Sequence, residues 1–163
     1  MQQSLTEELS LKFGVKYFAD RFFYLAIAAA PPALLAVTWL VPSWHQHVVI
    51  NTALLFSFIV WQPVIEEVLF RGIIQGQLIK NNWAKLNCYG FSLANAITSL
   101  LFMSMHLINH SVFWAVSVIL PSLVFGYFRD KYSQIYPALI LHSSYNTFYL
   151  LTGVLLNQLT PAL

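Results

Sequence analysis

A chain of 163 residues that is 58% hydrophobic and only 9% charged, with mean hydropathy +0.66, lies outside soluble composition, where roughly 25% of residues are charged. A net charge of +2 without any basic run excludes a nucleic-acid partner. The single cysteine, Cys88, excludes an internal disulfide and a zinc knuckle.

In chain order, residues 1–21 are polar and mixed in charge. Leu5, Leu9, Phe13 and Tyr17 recur every four residues, which predicts an amphipathic helix at the membrane interface. Ala28-x-Ala30 has the form of a signal-peptide cleavage site. The polar leader is too long and the apolar stretch before it too short for one, so no cleavage is expected. Five apolar runs follow, each near the roughly 20 residues that cross a bilayer. They are Phe22 to Val41, which Pro31-Pro32 should kink, Val48 to Phe70, Phe91 to Ile108, Val112 to Phe128 and Ile135 to Leu156. The expected fold is an all-α integral membrane protein, a bundle of about five transmembrane helices forming one domain over 22–163. Short connections make sequential helices antiparallel neighbours, and no internal repeat is visible.

Charge orients the bundle. Lys12, Lys16 and Arg21 precede the first span, Lys80 and Lys85 follow the second, and Arg129 and Lys131 separate the fourth from the fifth. The turns Pro42–His47 and Asn109–Ser111 contain no Lys or Arg. All seven cations fall on one side, so the positive-inside rule predicts a cytoplasmic N-terminus and an external C-terminus.

Ionisable groups inside spans are costly and mark function or a specific pairing. Three polar sets occur. In "EEVLFRG", Glu67 and Arg71 are i,i+4 neighbours able to neutralise each other, while Glu66 is rotated by about 100° and points elsewhere. Two carboxylates sharing one cation should titrate separately, one route to a general base near neutral pH. The plainer reading puts a helix end at the headgroups, with Arg71 snorkelling and both glutamates in water. In "FMSMH", Phe102 precedes His106 by one turn; in "HSSYN", His142 and Asn146 are likewise one turn apart. Glu66, His106, His142 and Asn146 could supply a base, a water-orienting group and oxyanion donors. His110, His45 and His47 read as interfacial.

The ordered triple Glu-Glu-x-x-x-Arg-Gly, Phe-x-x-x-His and His-x-x-x-Asn resembles the CPBP family of intramembrane proteases, which includes the type II CAAX prenyl endopeptidases and bacterial relatives linked to bacteriocin processing or immunity. "PSLVFGYFRDKYSQIYPALILH" is similar to the family's approach to its last motif, and the resemblance spans roughly Val60 to Tyr149. It implies that Glu66 activates water, that His106 orients it, and that His142 and Asn146 donate to the oxyanion. Glu67 and Arg71 would hold the motif helix and tune Glu66. It further implies metal-independent hydrolysis of a membrane-anchored protein or peptide, here in a prokaryotic plasma membrane. The chain is shorter than eukaryotic CAAX enzymes, so trimming of C-terminal sorting tails fits it better than prenylated substrates do. Residue types alone leave open a zinc site on Glu66, His106 and His142, although no HExxH motif is present. A non-catalytic immunity or scaffold protein and a transporter are the competing classes; the lack of a repeat argues against the latter.

Depth sets one further expectation. His106 reaches the level of Glu66 only if the third span enters near Asn95, which leaves Ile73 to Tyr89 interfacial or helical outside the core.

Overall fold

The computed structural model describes residues 10–11, 13–40 and 51–159, and the side chains of all of these except 38–40 and 156–159. Leu5, Leu9, His45 and His47 lie outside the described residues. So does most of the expected N-terminal helix; its described part holds one 3-10 turn, Lys16–Ala19, with Tyr17 buried.

Five helices follow: α1 Arg21–Leu40, α2 Thr52–Leu78, α3 Leu93–His106, α4 Val112–Tyr132 and α5 Tyr136–Leu159. Local sequence explains their ends. Asn51, Ser92 and Ser111 each accept a backbone N–H three residues ahead, from Leu54 at 2.8 Å, Asn95 at 3.0 Å and Trp114 at 3.3 Å. Ser133, in the left-handed conformation at φ 53°, closes α4. α1 is unbroken through Pro31 and Pro32. A 3-10 turn, Asn82–Lys85, and a two-stranded hairpin, β1 Asn87–Cys88 with β2 Phe91–Ser92, join α2 to α3.

α5 is the hub, packing on α1, α2 and α4, while α3 packs on both α2 and α4. The first helix therefore docks on the last; antiparallel pairing of sequential helices holds from α2 onward. α2 and α4 are long and apolar enough to cross a bilayer; α1 and α3 contribute shorter apolar segments. Burial is inverted relative to a soluble fold. Leu25, Phe56, Leu120 and Leu155 are more than half exposed, whereas Glu67, Arg71, Gln75, Asn95, Ser99 and Ser122 are fully buried. Apolar side chains facing outward around a polar interior suit lipid as the surrounding solvent.

Among the described residues, the cations other than Arg71 gather at one end. Lys131 at the end of α4 pairs with Asp20 at the start of α1 at 2.6 Å, and Tyr132 donates to the same carboxylate at 2.7 Å. Arg129 donates to Ser10 at 2.9 Å, Ile135 N–H bonds the Ser10 carbonyl, and Ser92 at the head of α3 donates to Asp130. Just inside this end lies an aromatic core: Tyr17, Phe23, Phe125 and Phe128 with Ala138 and Leu141.

Candidate active site

The motif helix α2 is not uniform. π-helical turns, Ser57–Trp61 and Val68–Gln75, flank an α-helical stretch, Gln62–Glu67, that ends on the two glutamates. Such wide turns are rare and occur frequently at functional sites. Glu67 at the end of the α-helical stretch and Arg71 and Gln75 within the second π turn share one buried stripe facing α4 and α5.

Glu67 bridges two partners. Its Oε2 accepts from Arg71 Nε at 3.3 Å, and its Oε1 lies 2.8 Å from His142 Nδ1 on α5. With Glu67 ionised, Nδ1 is the donor, so the ring is oriented and its Nε2 turned away from the pair. That nitrogen stands 3.6 Å from Glu66 Oε2, outside hydrogen-bond range but close in electrostatic terms. Glu66 is the more open of the two glutamates, its side chain 31% exposed against 0% for Glu67. Phe102 sits edge-on to His142, and Phe125 stacks on it.

Arg71 is held on all sides. Nη1 donates to Gln75 Oε1 at 3.1 Å; Nη2 donates to the Ser122 carbonyl at 2.9 Å and to its hydroxyl at 2.6 Å. Ser122 then donates to Ser99, Ser99 to Asn95 Oδ1, and Asn95 Nδ2 to the Leu123 carbonyl. Gln75 Nε2 donates to the Gly126 carbonyl, and Arg129 Nε to the Arg71 carbonyl. The result is a continuous polar spine linking α2, α3 and α4. A headgroup position with both glutamates in water does not fit Glu67 and Arg71, which are 0% exposed.

A cavity of about 400 Å³ opens beside this spine. α1 lines it from Ala30 to Val37, α2 from Phe58 to Glu66, α3 and its following turn from Phe102 to His110, α4 from Trp114 to Phe125, and α5 from His142 to Tyr149. Glu66, Phe102, His106, His142 and Asn146 therefore border one space; Glu67 and Arg71 lie behind its wall. His106 Nδ1 is 2.9 Å from the Phe102 carbonyl, which leaves Nε2 for the cavity. Asn146 Nδ2 donates one proton to the Phe58 carbonyl at 2.8 Å, leaving its second amide proton. His110, which sequence reasoning placed at the interface, stacks on His106 and also lines the cavity.

Gln75, Asn95, Ser99 and Ser122 were not foreseen. The signal was spacing: Gln75 continues the Glu67–Arg71 step by four, and Asn95–Ser99 and Ser122–Gly126 repeat it on their own helices.

Among the described residues, no group of three or more His, Cys, Asp or Glu side chains is arranged to hold a metal ion. Comparison with curated proteins and with solved structures gives no match. The model of the type II CAAX prenyl endopeptidase Rce1-like family matches residues 48–148, more than half of the chain and all three motifs. Proteases of this type are not known to need a cofactor. The chain belongs to this Rce1-like family of membrane-integrated CAAX-type proteases, whose substrates are membrane-associated peptides or proteins.

Proposed function

We propose that the chain is a glutamate-type intramembrane endopeptidase. On this reading residues 22–163 form one catalytic domain of five membrane-crossing helices, placed in a prokaryotic plasma membrane with the N-terminus cytoplasmic. The observation that carries the chemistry is the convergence of Glu66 and His142 Nε2 at the edge of a cavity also bordered by His106 and Asn146.

Glu66 takes a proton from a water that His106 orients, and the resulting hydroxide attacks the substrate carbonyl carbon. The carbonyl π pair moves onto oxygen. The second amide proton of Asn146 donates to the oxyanion that forms; His142, whose Nδ1–H is held by Glu67, adds an Nε2–H donor there in its doubly protonated form. Collapse breaks the C–N bond, and the proton held by Glu66 passes to the leaving amine. Arg71 pairs with Glu67 and fixes its position; it touches no reacting atom. The polar spine supports this reading because it immobilises the motif helix against α3 and α4, so that water and the scissile bond meet a set geometry.

The test is co-expression with tagged membrane-anchored proteins, scoring cleavage by mass. Glu66→Ala and Glu66→Gln should both abolish the product while leaving helical circular dichroism unchanged. A product that persists in both variants removes Glu66 from the reaction.

A further inference from the structure

The cavity has a direction. In α1, α2 and α3 its lining residues occupy the part of each helix away from the Lys/Arg-bearing end, and in α5 they continue from His142 away from that end. The innermost lining residue of each helix lies 6 to 12 residues from that end, counted from Tyr136 to His142 in the shallowest case and from Glu66 to Leu78 in the deepest. At 1.5 Å per residue, this puts the floor roughly 9–18 Å inside it.

The floor is also sealed. Phe125 forms part of it, and between it and the cations stand Phe23, Phe128 and Leu141, each at most 2% exposed like Phe125, with Arg71 and Gln75 beside them at 0%. Toward the opposite end the lining residues Met105, Asn109 and His110 are exposed. Neither connection at that end carries a Lys or Arg, and the cavity lining has none either.

We propose that the cavity admits its substrate from the extracytoplasmic face of the membrane. The inference rests on the protease reading above and adds the substrate class. The substrate is a membrane-anchored polypeptide that has already been translocated, with its scissile bond presented in the outer half of the bilayer and flanked by apolar residues. Phe58, Trp114 and Tyr149 form the aromatic wall those residues would contact. A reaction that exports the chain must therefore precede this one. A tail lipidated and retained in the cytoplasm would meet the sealed floor and would not reach Glu66.

Thiol labelling tests this without requiring catalysis. The chain's own Cys88 is exposed in the hairpin at the cation-bearing end. In a Cys88→Ser background, Met105→Cys places a thiol in the cavity lining and Ile108→Cys places one on the exposed turn beyond it. Each single-thiol protein is expressed in a bacterial inner membrane, and spheroplasts are treated with a charged, membrane-impermeant maleimide before or after lysis. Met105→Cys and Ile108→Cys should label in intact spheroplasts, and Cys88 only after lysis. Labelling of Cys88 from outside overturns the orientation. Failure of Met105→Cys to label from outside, with Ile108→Cys labelled, overturns the opening. Outward labelling with cleavage that survives Glu66→Gln would sink the glutamate mechanism and leave this inference standing.

Discussion

Arg71→Met isolates the energetic role of the buried ion pair. Methionine approximates the volume of the arginine stem, so the variant removes charge and donors with little cavity. Wild-type Arg71 compensates Glu67 at 3.3 Å and satisfies Gln75 and both oxygens of Ser122, with neither partner of the pair in contact with solvent. Its loss strands a buried carboxylate; breaking such a pair costs about 3–5 kcal/mol. At roughly 2–4 °C per kcal/mol for a chain of this size, the melting temperature in detergent should fall by about 6–20 °C. Adding Glu67→Gln removes the stranded charge, so the double variant should regain about 1–3 kcal/mol over Arg71→Met, the scale of coupling between contacting residues. The assay is thermal unfolding followed by circular dichroism for wild type, both single variants and the double. A melting temperature for Arg71→Met equal to wild type, or a double variant no better than Arg71→Met, refutes the argument. Loss of cleavage at unchanged stability would instead give Arg71 a chemical role.

Asp20 accepts from Lys131 and Tyr132 and from the Phe22 N–H at the start of α1; the hydrogen bond from Lys131 foremost holds its carboxyl below the usual carboxylate range. A depressed folded-state value stabilises above the unfolded value near 3.9 and fades as pH falls through the folded one. Asp20→Asn should therefore cost about 0.2–1 kcal/mol near pH 7, the scale of a partly exposed ion pair, and the gap to wild type should close in acid; a gap independent of pH contradicts the assignment. At Gly126 an added Cβ would overlap Asn95 Oδ1 and stand 2.9 Å from Gln75 Oε1, whereas at Gly153 it would meet no atom within 4 Å. Gly126→Ala should destabilise by about 1–3 kcal/mol and Gly153→Ala should stabilise by about 0.5–1 kcal/mol; the reverse order in thermal melts would reject the packing described. Cleavage should survive strong chelators, and inhibition reversed specifically by zinc would point to a metalloenzyme.

The five helices were legible because apolar runs near 20 residues have few alternatives. Their ends were less so. The second run was bounded at Phe70, and helix continues to Leu78, within the stretch expected to be interfacial or helical outside the core; what went unread is that Arg71 and Gln75 are satisfied there by Ser122 and the Gly126 carbonyl, partners about 50 residues away. The third helix begins at Leu93, close to the entry near Asn95 that the depth of His106 demanded. The Tyr89-Gly90 turn of the hairpin, with both residues at positive φ, went unread because the stretch was treated as interface. At the site, Glu66, His106, His142 and Asn146 were singled out by type and order. The tie between Glu67 and His142 Nδ1 was not, since it joins residues 75 apart and no local pattern encodes it.

The polar spine also bears on how the chain enters a bilayer. Alone, α2 would carry Glu66, Glu67, Arg71 and Gln75 into hydrocarbon, and a charged residue at mid-membrane costs roughly 2.5–3.5 kcal/mol during insertion. Each apolar residue returns only about 0.3–0.6 kcal/mol. Internal pairing of Glu67 with Arg71 relieves part of this, but Nη2 of Arg71 and the amide of Gln75 are satisfied only on α4. α2 thus becomes at ease in lipid only when α4, synthesised some fifty residues later, docks against it. For this helix, insertion and tertiary assembly are coupled in one event, and variants of Ser122 or Gly126 should show up first as poor membrane integration of a helix they do not belong to.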